Sequence, residues 1–288
     1  MSNRLKIYGL LILVFVVIIC LNYNPQYYFK TTYQHWSWNL SLLASILIML
    51  IMRYRDPVDW KQKLGINFKR NDLIGFLLST IGLLILSYFL VDYISRLNGY
   101  AFKPQIIYYK EYFGSNYPLY MVLANYMYFV TETFNEEMLI GAVLLMGLER
   151  NFKILDRNII AIMIALIFSL MHQALFKWSP AQPGILLTWT AIASLFFVGI
   201  LRNVLILKTR KIAYSWAIHL SFNFVFYAGF IINPITNIFP REPAAFNIVF
   251  GNIIMLLLSG LLAVASLIWL NTNKLINTNN KLLAIIVV

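Results

Sequence analysis

Eight apolar runs pattern the chain, near residues 7–23, 38–52, 73–94, 118–147, 158–175, 183–200, 212–230 and 247–270, and short polar segments separate them. About 20 apolar residues suffice for a helix to cross the hydrocarbon core of a bilayer. The runs therefore predict an all-α, polytopic transmembrane helical bundle of about eight spans, the fourth of them unusually long. No shift in composition marks a second soluble domain, so residues 1–288 read as a single membrane domain.

Composition agrees. Of the 288 residues 60% are hydrophobic and 12% charged, with a mean hydropathy of +0.72. A soluble domain carries about 25% charged residues. The first run follows Arg4 and Lys6 and lacks a small-x-small cleavage site, so it reads as a retained helix and not a signal peptide. A lone cysteine, Cys20, rules out a disulfide framework within the chain.

The net charge of +12 raises the question of nucleic acid, and its placement answers it. With the N-terminus inside, the inner segments hold 17 of the 23 Lys and Arg residues, Arg202 counted among them. Lys30, Arg96, Lys103, Lys110, Lys177 and Arg241 lie in the outer segments. That asymmetry is a topology signal and predicts N-in, C-in orientation. The partner it implies is the lipid bilayer, and no nucleic acid. The longest inner loop, "YRDPVDWKQKLGINFKRND", is basic and amphipathic and suits the anionic inner surface. The tyrosine-rich outer stretch "SRLNGYAFKPQIIYYKEYFGSNYPLY" suits the headgroup level.

Polar residues inside the spans carry the chemistry. The fourth run holds Glu132, Asn135, Glu136 and Glu137; the fifth holds His172; the seventh holds His219 and Asn223. A carboxylate at such depth costs ~2.5–3.5 kcal/mol even on the lenient insertion scale. With a rise of ~1.5 Å per residue, Glu136 lies roughly 18 Å, His172 roughly 21 Å and His219 roughly 12 Å from the inner ends of their runs. Given boundary errors of a few residues, these depths allow one shared interior cavity. His219 and Asn223 share a helix face, as do Phe168 and His172, which makes Phe168 a wall of the site. Glu132 shares a face with Glu136 and reads as a cavity-lining or outward-facing acid. Glu137 is turned from Glu136 by about 100°, so the paired glutamates should differ in role. Adjacent carboxylates in a poorly solvated site repel, and such a group can serve as general base toward water.

The order of a Glu-Glu pair, then "FSLMH", then "HLSFN", each on its own span, resembles the CPBP intramembrane proteases. That group joins CAAX proteases with bacteriocin-processing proteins, is also called the Abi family, and includes the type II prenyl-protein endopeptidases. Its pattern, EExxxR, FxxxH and HxxxN, aligns with Glu136-Glu137, Phe168 with His172, and His219 with Asn223. The lead-in "FFVGILRNVLILKTRKIAYSWAIH" is also similar. The resemblance spans roughly residues 118 to 230 and implies a catalytic core there. It implies that Glu136 with His172 activates the attacking water and that His219 with Asn223 stabilises the oxyanion. Glu137 would orient or assist the base.

The pattern is broken once: Gly141 stands where the arginine of EExxxR is expected, and Arg150 is too far along to replace it. Such an arginine would pair with a carboxylate and hold it charged. As to cofactors, the chain has no HExxH and its candidate ligands would come from three helices; the resemblance allows either a metalloprotease or a glutamate-dependent protease without metal. Zinc is the metal that the candidate ligands Glu136, His172 and His219 would suit. The implied activity is hydrolysis of membrane-associated peptides or proteins, in bacteriocin or pheromone precursor processing or in self-immunity, within a bacterial plasma membrane. A non-catalytic scaffold on the same fold is the alternative that Gly141 favours, and a proton-coupled transporter is a third.

Overall fold

A computed structural model describes residues 34–104, 119–152, 156–178, 186–240 and 242–272, together with Gly9. The first expected span, Cys20, most of the tyrosine-rich outer stretch and the C-terminal end lie outside the described residues.

Helix α1 (Gln34–Arg55) is followed by the short α2 (Trp60–Lys63) and the long α3 (Arg70–Leu97). Strand β1 (Ala101–Pro104) comes next. Helix α4 (Leu119–Glu136) runs into a π-helical segment (Glu137–Leu145) and then α5 (Met146–Asn151). After α6 (Arg157–Trp178), α7 (Trp189–Thr209) and α8 (Ala213–Ala228) come β2 (Gly229–Ile232), α9 (Glu242–Val249) and α10 (Ile253–Asn271). Among the described residues four helical stretches, Arg70–Leu97, Arg157–Ala174, Trp189–Thr209 and Ile253–Asn271, are long and apolar enough to cross a membrane.

Two runs differ from expectation. The sixth continues as helix to Thr209, beyond the expected end near 200. Arg202, assigned above to an inner loop, therefore sits inside α7 and is buried. The eighth run is broken into α9 and α10, where the Asn252 side chain accepts from the Ile254 amide at 2.9 Å and caps a new helix.

Basic residues tie the helix ends together at one end of the bundle. Lys211, just before α8, reaches Asp72 in the first turn of α3 at 2.6 Å. Arg210 and Arg157 converge on Glu149 of α5 at 2.7 and 3.1 Å. The Lys208 ammonium donates to the terminal carbonyls of α10 at Trp269 and Thr272. The loop after α2 plugs this end: Leu64 is buried and the Gly65 carbonyl accepts from the Ile212 amide at 3.1 Å. Gly65 has φ +67°, and a Cβ there would crowd Met146, so glycine suits the turn. At the opposite end β1 pairs antiparallel with β2, Phe102 opposite Ile231, and joins the far ends of α3 and α8. These helices thus run parallel from the basic end to the strand pair.

Apolar side chains form two clusters. The first holds Leu64, Ile164, Ile206 and Ile212 near the basic end, and the second holds Val91, Leu195, Val225 and Phe246 toward the strands. Along α8, Ile212 belongs to the first and Val225 to the second. His219 lies between them.

Candidate active site

The site begins where α4 gives way to π winding, a rare i→i+5 form that is frequent at functional sites. Of the nine residues Glu137–Leu145, all but Leu144 are buried. Glu137 opens the segment and its side chain is 0% exposed.

Each oxygen of that carboxylate has a partner. Oε1 accepts from Arg202 Nε on α7 at 2.6 Å, and Oε2 from the Ser215 hydroxyl on α8 at 2.7 Å. His219 Nδ1 also meets Oε1, at 3.2 Å. A carboxylate only accepts, so Nδ1 carries the proton and Nε2 faces away from Glu137. Arg202 reaches further, its Nη2 donating to the Glu136 carbonyl at 3.2 Å. The guanidinium therefore holds the side chain of one glutamate and the backbone of the other.

Glu136 is placed differently. Its carboxylate is 31% exposed, and Oε2 lies 3.6 Å from His219 Nε2, beyond direct hydrogen bonding. A gap of that size is one that a water can bridge. The two glutamates thus flank one imidazole, one enclosed and the other open.

His172 comes from α6. Its Nδ1 lies 2.9 Å from the Phe168 carbonyl, which accepts, so Nδ1 is the protonated nitrogen and Nε2 is left as an acceptor. The Phe168 ring is central: it packs edge-on to His172 at 4.6 Å, faces His219 at 6.3 Å and lies 5.2 Å from the Arg202 guanidinium carbon. A guanidinium over an aromatic face gains cation–π attraction, strongest where water is excluded. The close approach of α6 and α7 that makes this stack is set by Gly199, where a Cβ would stand 3.1 Å from that of Ala165. Asn203 locks the pair, its Nδ2 donating to the buried Ala161 carbonyl at 2.8 Å.

On α8, Ser215, His219 and Asn223 follow at intervals of four and share one face. Trp216 sets the rotation of that helix. Its indole stacks on Phe76 of α3 at 4.6 Å and donates to Thr133 of α4 at 3.0 Å. Asn223 is half-buried, and its amide has no hydrogen-bond partner among the described residues. Beyond it, Phe246 of α9 lies 6.4 Å from the His172 ring and walls that side of the site. Side-chain amides steady that wall: Asn247 and Gln173 both bond the backbone of residues 186–188, just ahead of α7.

Glu136, Glu137 and His219 are therefore brought into contact, with His172 and Phe168 packed alongside and Asn223 one turn away. Glu132 is half-buried one turn before Glu136 and is not among the partners of Glu137. Glu136 makes no hydrogen bond to His172 among the described residues; its nearest imidazole is His219. Nor do three His, Cys, Asp or Glu side chains gather closely enough to hold a metal ion, again among the described residues. His219 Nδ1 is taken by Glu137 and His172 Nδ1 by a backbone carbonyl. The candidate zinc ligands Glu136, His172 and His219 thus form no closed metal set among the described residues, while both Nε2 atoms stay open and each Nδ1 contact is of the kind that orients a metal-ligating histidine.

Sequence reasoning missed Arg202 and Ser215. The signal for Arg202 was its setting in "VGILRNVLIL", apolar on both sides, together with the lack of an arginine at 141. Ser215 carried no comparable signal.

Residues 118–225 match the family model of the type II CAAX prenyl endopeptidase Rce1-like proteins. Over this stretch the chain is similar to that family, whose description names a prenyl endopeptidase. The match covers the residues built into the site above, apart from Phe76, Phe246 and Asn247. No curated protein and no solved structure matches the chain.

Proposed function

We propose that this protein is an intramembrane endopeptidase that hydrolyses peptide bonds of membrane-associated peptides or proteins with a water activated by Glu136. The observation that carries the reading is the division of labour within the glutamate pair. Glu137 has its oxygens filled by Arg202, Ser215 and His219, whereas the Glu136 carboxylate is 31% exposed and has no hydrogen bond to the described residues. An open carboxylate beside two imidazoles is suited to take a proton from water.

In this reading Glu136 and His172 Nε2 hold the attacking water. Glu136 accepts its proton as the hydroxide oxygen bonds to the carbonyl carbon. The oxyanion that forms is met by Asn223 Nδ2, and by His219 Nε2 as the water's proton is shared across the gap between Glu136 and that imidazole. Collapse of the tetrahedral intermediate breaks the C–N bond, and the proton held by Glu136 passes to the leaving amine. Glu137 takes no proton. It orients His219, as the buried carboxylate of a catalytic triad orients its imidazole. No step runs through a metal.

The substrate class that fits is a bacteriocin or pheromone precursor, or a membrane-protein tail, met by a multi-pass protein of a bacterial plasma membrane. The scaffold alternative rested on the missing arginine at 141, and the Arg202 guanidinium beside Glu137 weakens that argument.

The test is cleavage of a panel of fluorogenic membrane peptides by detergent-purified wild type, Glu136→Gln and His172→Ala, with and without a zinc chelator. Cleavage by the wild type alone, unaffected by chelation, is the expected result. Equal cleavage by all three proteins would remove Glu136 and His172 from the mechanism. Survival of in vivo function in both variants, with no cleavage by the wild type, would favour the scaffold.

A further inference from the structure

We infer that Arg202 is a positioning residue for this site and that positions 141 and 202 form one unit with room for a single arginine. An ideal Cβ built on Gly141 stands 3.5 Å from Glu137 Oε2 and 3.6 Å from Arg202 Nη2. Any longer side chain at 141 would enter the volume that the guanidinium occupies. That volume is closed, since Arg202 is 3% exposed and Glu137 0%. The atom nearest to that Cβ is Ile206 Cδ1 at 2.6 Å, the far end of a side chain one turn along α7.

Gly141 thus has a positive reason to be glycine. A guanidinium delivered from α7 contacts Glu137 Oε1 and the Glu136 carbonyl at once, and it stacks on Phe168. It therefore sets the relative placement of the glutamate pair, of His219 through Glu137, and of the ring between His219 and His172. The site needs one cation against Glu137, and either helix can deliver it. An arginine at 141, four residues after Glu137, starts close enough to make the same contact.

The catalytic half of this inference rests on the proposed protease reading, and the structural half does not. The experiment keeps them apart by reading thermal unfolding in detergent beside cleavage of the peptide panel. Variants are Arg202→Ala, Gly141→Arg, the exchange Gly141→Arg/Arg202→Ala, and the exchange with Ile206→Val added to remove the crowding Cδ1 atom. Each single variant should unfold at lower temperature and cleave roughly tenfold more slowly or worse, as is usual when an orienting partner is lost. One of the exchange variants should recover both properties to well above either single variant.

Arg202→Lys supplies a further readout. It keeps the charge and loses the second donor arm, so kcat should fall while KM stays near the wild-type value. Exchange variants no better than the worse single variant would overturn the inference. Recovery of stability without recovery of cleavage would overturn the positioning role. If the wild type cleaves nothing, the protease reading fails, and the unfolding temperatures still decide whether 141 and 202 exchange.

Discussion

Arg202 Nε meets Glu137 Oε1 at 2.6 Å across 65 residues of chain, with both side chains closed off from their surroundings. Burying an ion pair is seldom a net gain in stability, because desolvation offsets most of the attraction. What such a pair does provide is direction. It converts a flexible glutamate at the start of a π-helical turn into a fixed acceptor for His219.

Breaking the pair from one side should be costly and breaking it from both sides much less so. Arg202→Ala leaves a charged Glu137 enclosed without its cation, at a cost of about 3–5 kcal/mol. Arg202→Leu/Glu137→Leu removes both charges and should be less destabilised than Arg202→Ala, though its site is lost. Equilibrium unfolding of the single and double variants gives the coupling directly. A double variant as unstable as the sum of its single changes would mean that the two side chains do not act as a pair.

The paired glutamates should separate by assay. Glu136→Gln keeps shape at a half-exposed position and removes the base, so cleavage falls by ~100–10,000-fold while the unfolding temperature holds. Glu137→Gln replaces an oxygen that receives Ser215 or Arg202 with an NH2 group, setting donor against donor. It should lower both stability and cleavage. Equal loss of stability in the two variants would contradict the assignment of one to chemistry and the other to support.

How far the sequence alone reached can be judged residue by residue. Glu136, His172 and His219 were placed at one depth from run lengths and helical rise, because an intramembrane polar group stands out against apolar neighbours. That Glu136 and Glu137 would differ followed from their 100° offset. Which of them would be enclosed did not, since that depends on Arg202 arriving from another helix. Arg202 itself was read as an inner-loop cation: a charge in an apolar run resembles a helix end until its counter-ion is known. The π winding over Glu137–Leu145 left no sequence signature, and the break at Asn252 was hidden by apolar residues on both sides. The 3.6 Å approach of Glu136 to His219 was not legible either, since it depends on how α4 and α8 pack.

Asn223 should matter to rate and to little else. Its amide has no partner among the described residues, so Asn223→Ala leaves no donor or acceptor stranded and should unfold as the wild type does. An oxyanion donor acts only on the transition state, and its loss typically lowers kcat by ~100–1,000-fold. Steady-state kinetics should therefore show kcat reduced with KM nearly unchanged. A raised KM with normal kcat would mean that Asn223 binds the ground-state substrate instead.

The last prediction concerns acid. Glu149 lies at the basic end, where burial raises its carboxyl but Arg210, then Arg157 and Arg150, more than offset that, leaving it below the usual glutamate value. Arg210 grips it with both terminal nitrogens at 2.7 Å, and Arg157 joins at 3.1 Å. The folded-state value is depressed, so the folded protein holds its proton less tightly than the unfolded chain does. The stabilisation is then fully present above the unfolded glutamate's titration, near about pH 4.3, and is lost as pH falls through the lower folded value. Unfolding temperatures recorded from pH 7 downward should fall on this acid limb. Glu149→Gln, which has no such proton to gain, should start lower and show a shallower decline. Added salt should narrow the gap, because Arg210 is half-exposed and its attraction is screened. An acid limb of unchanged steepness in Glu149→Gln would show that the convergence of arginines on this carboxylate does not tie the ends of α5, α6 and α7.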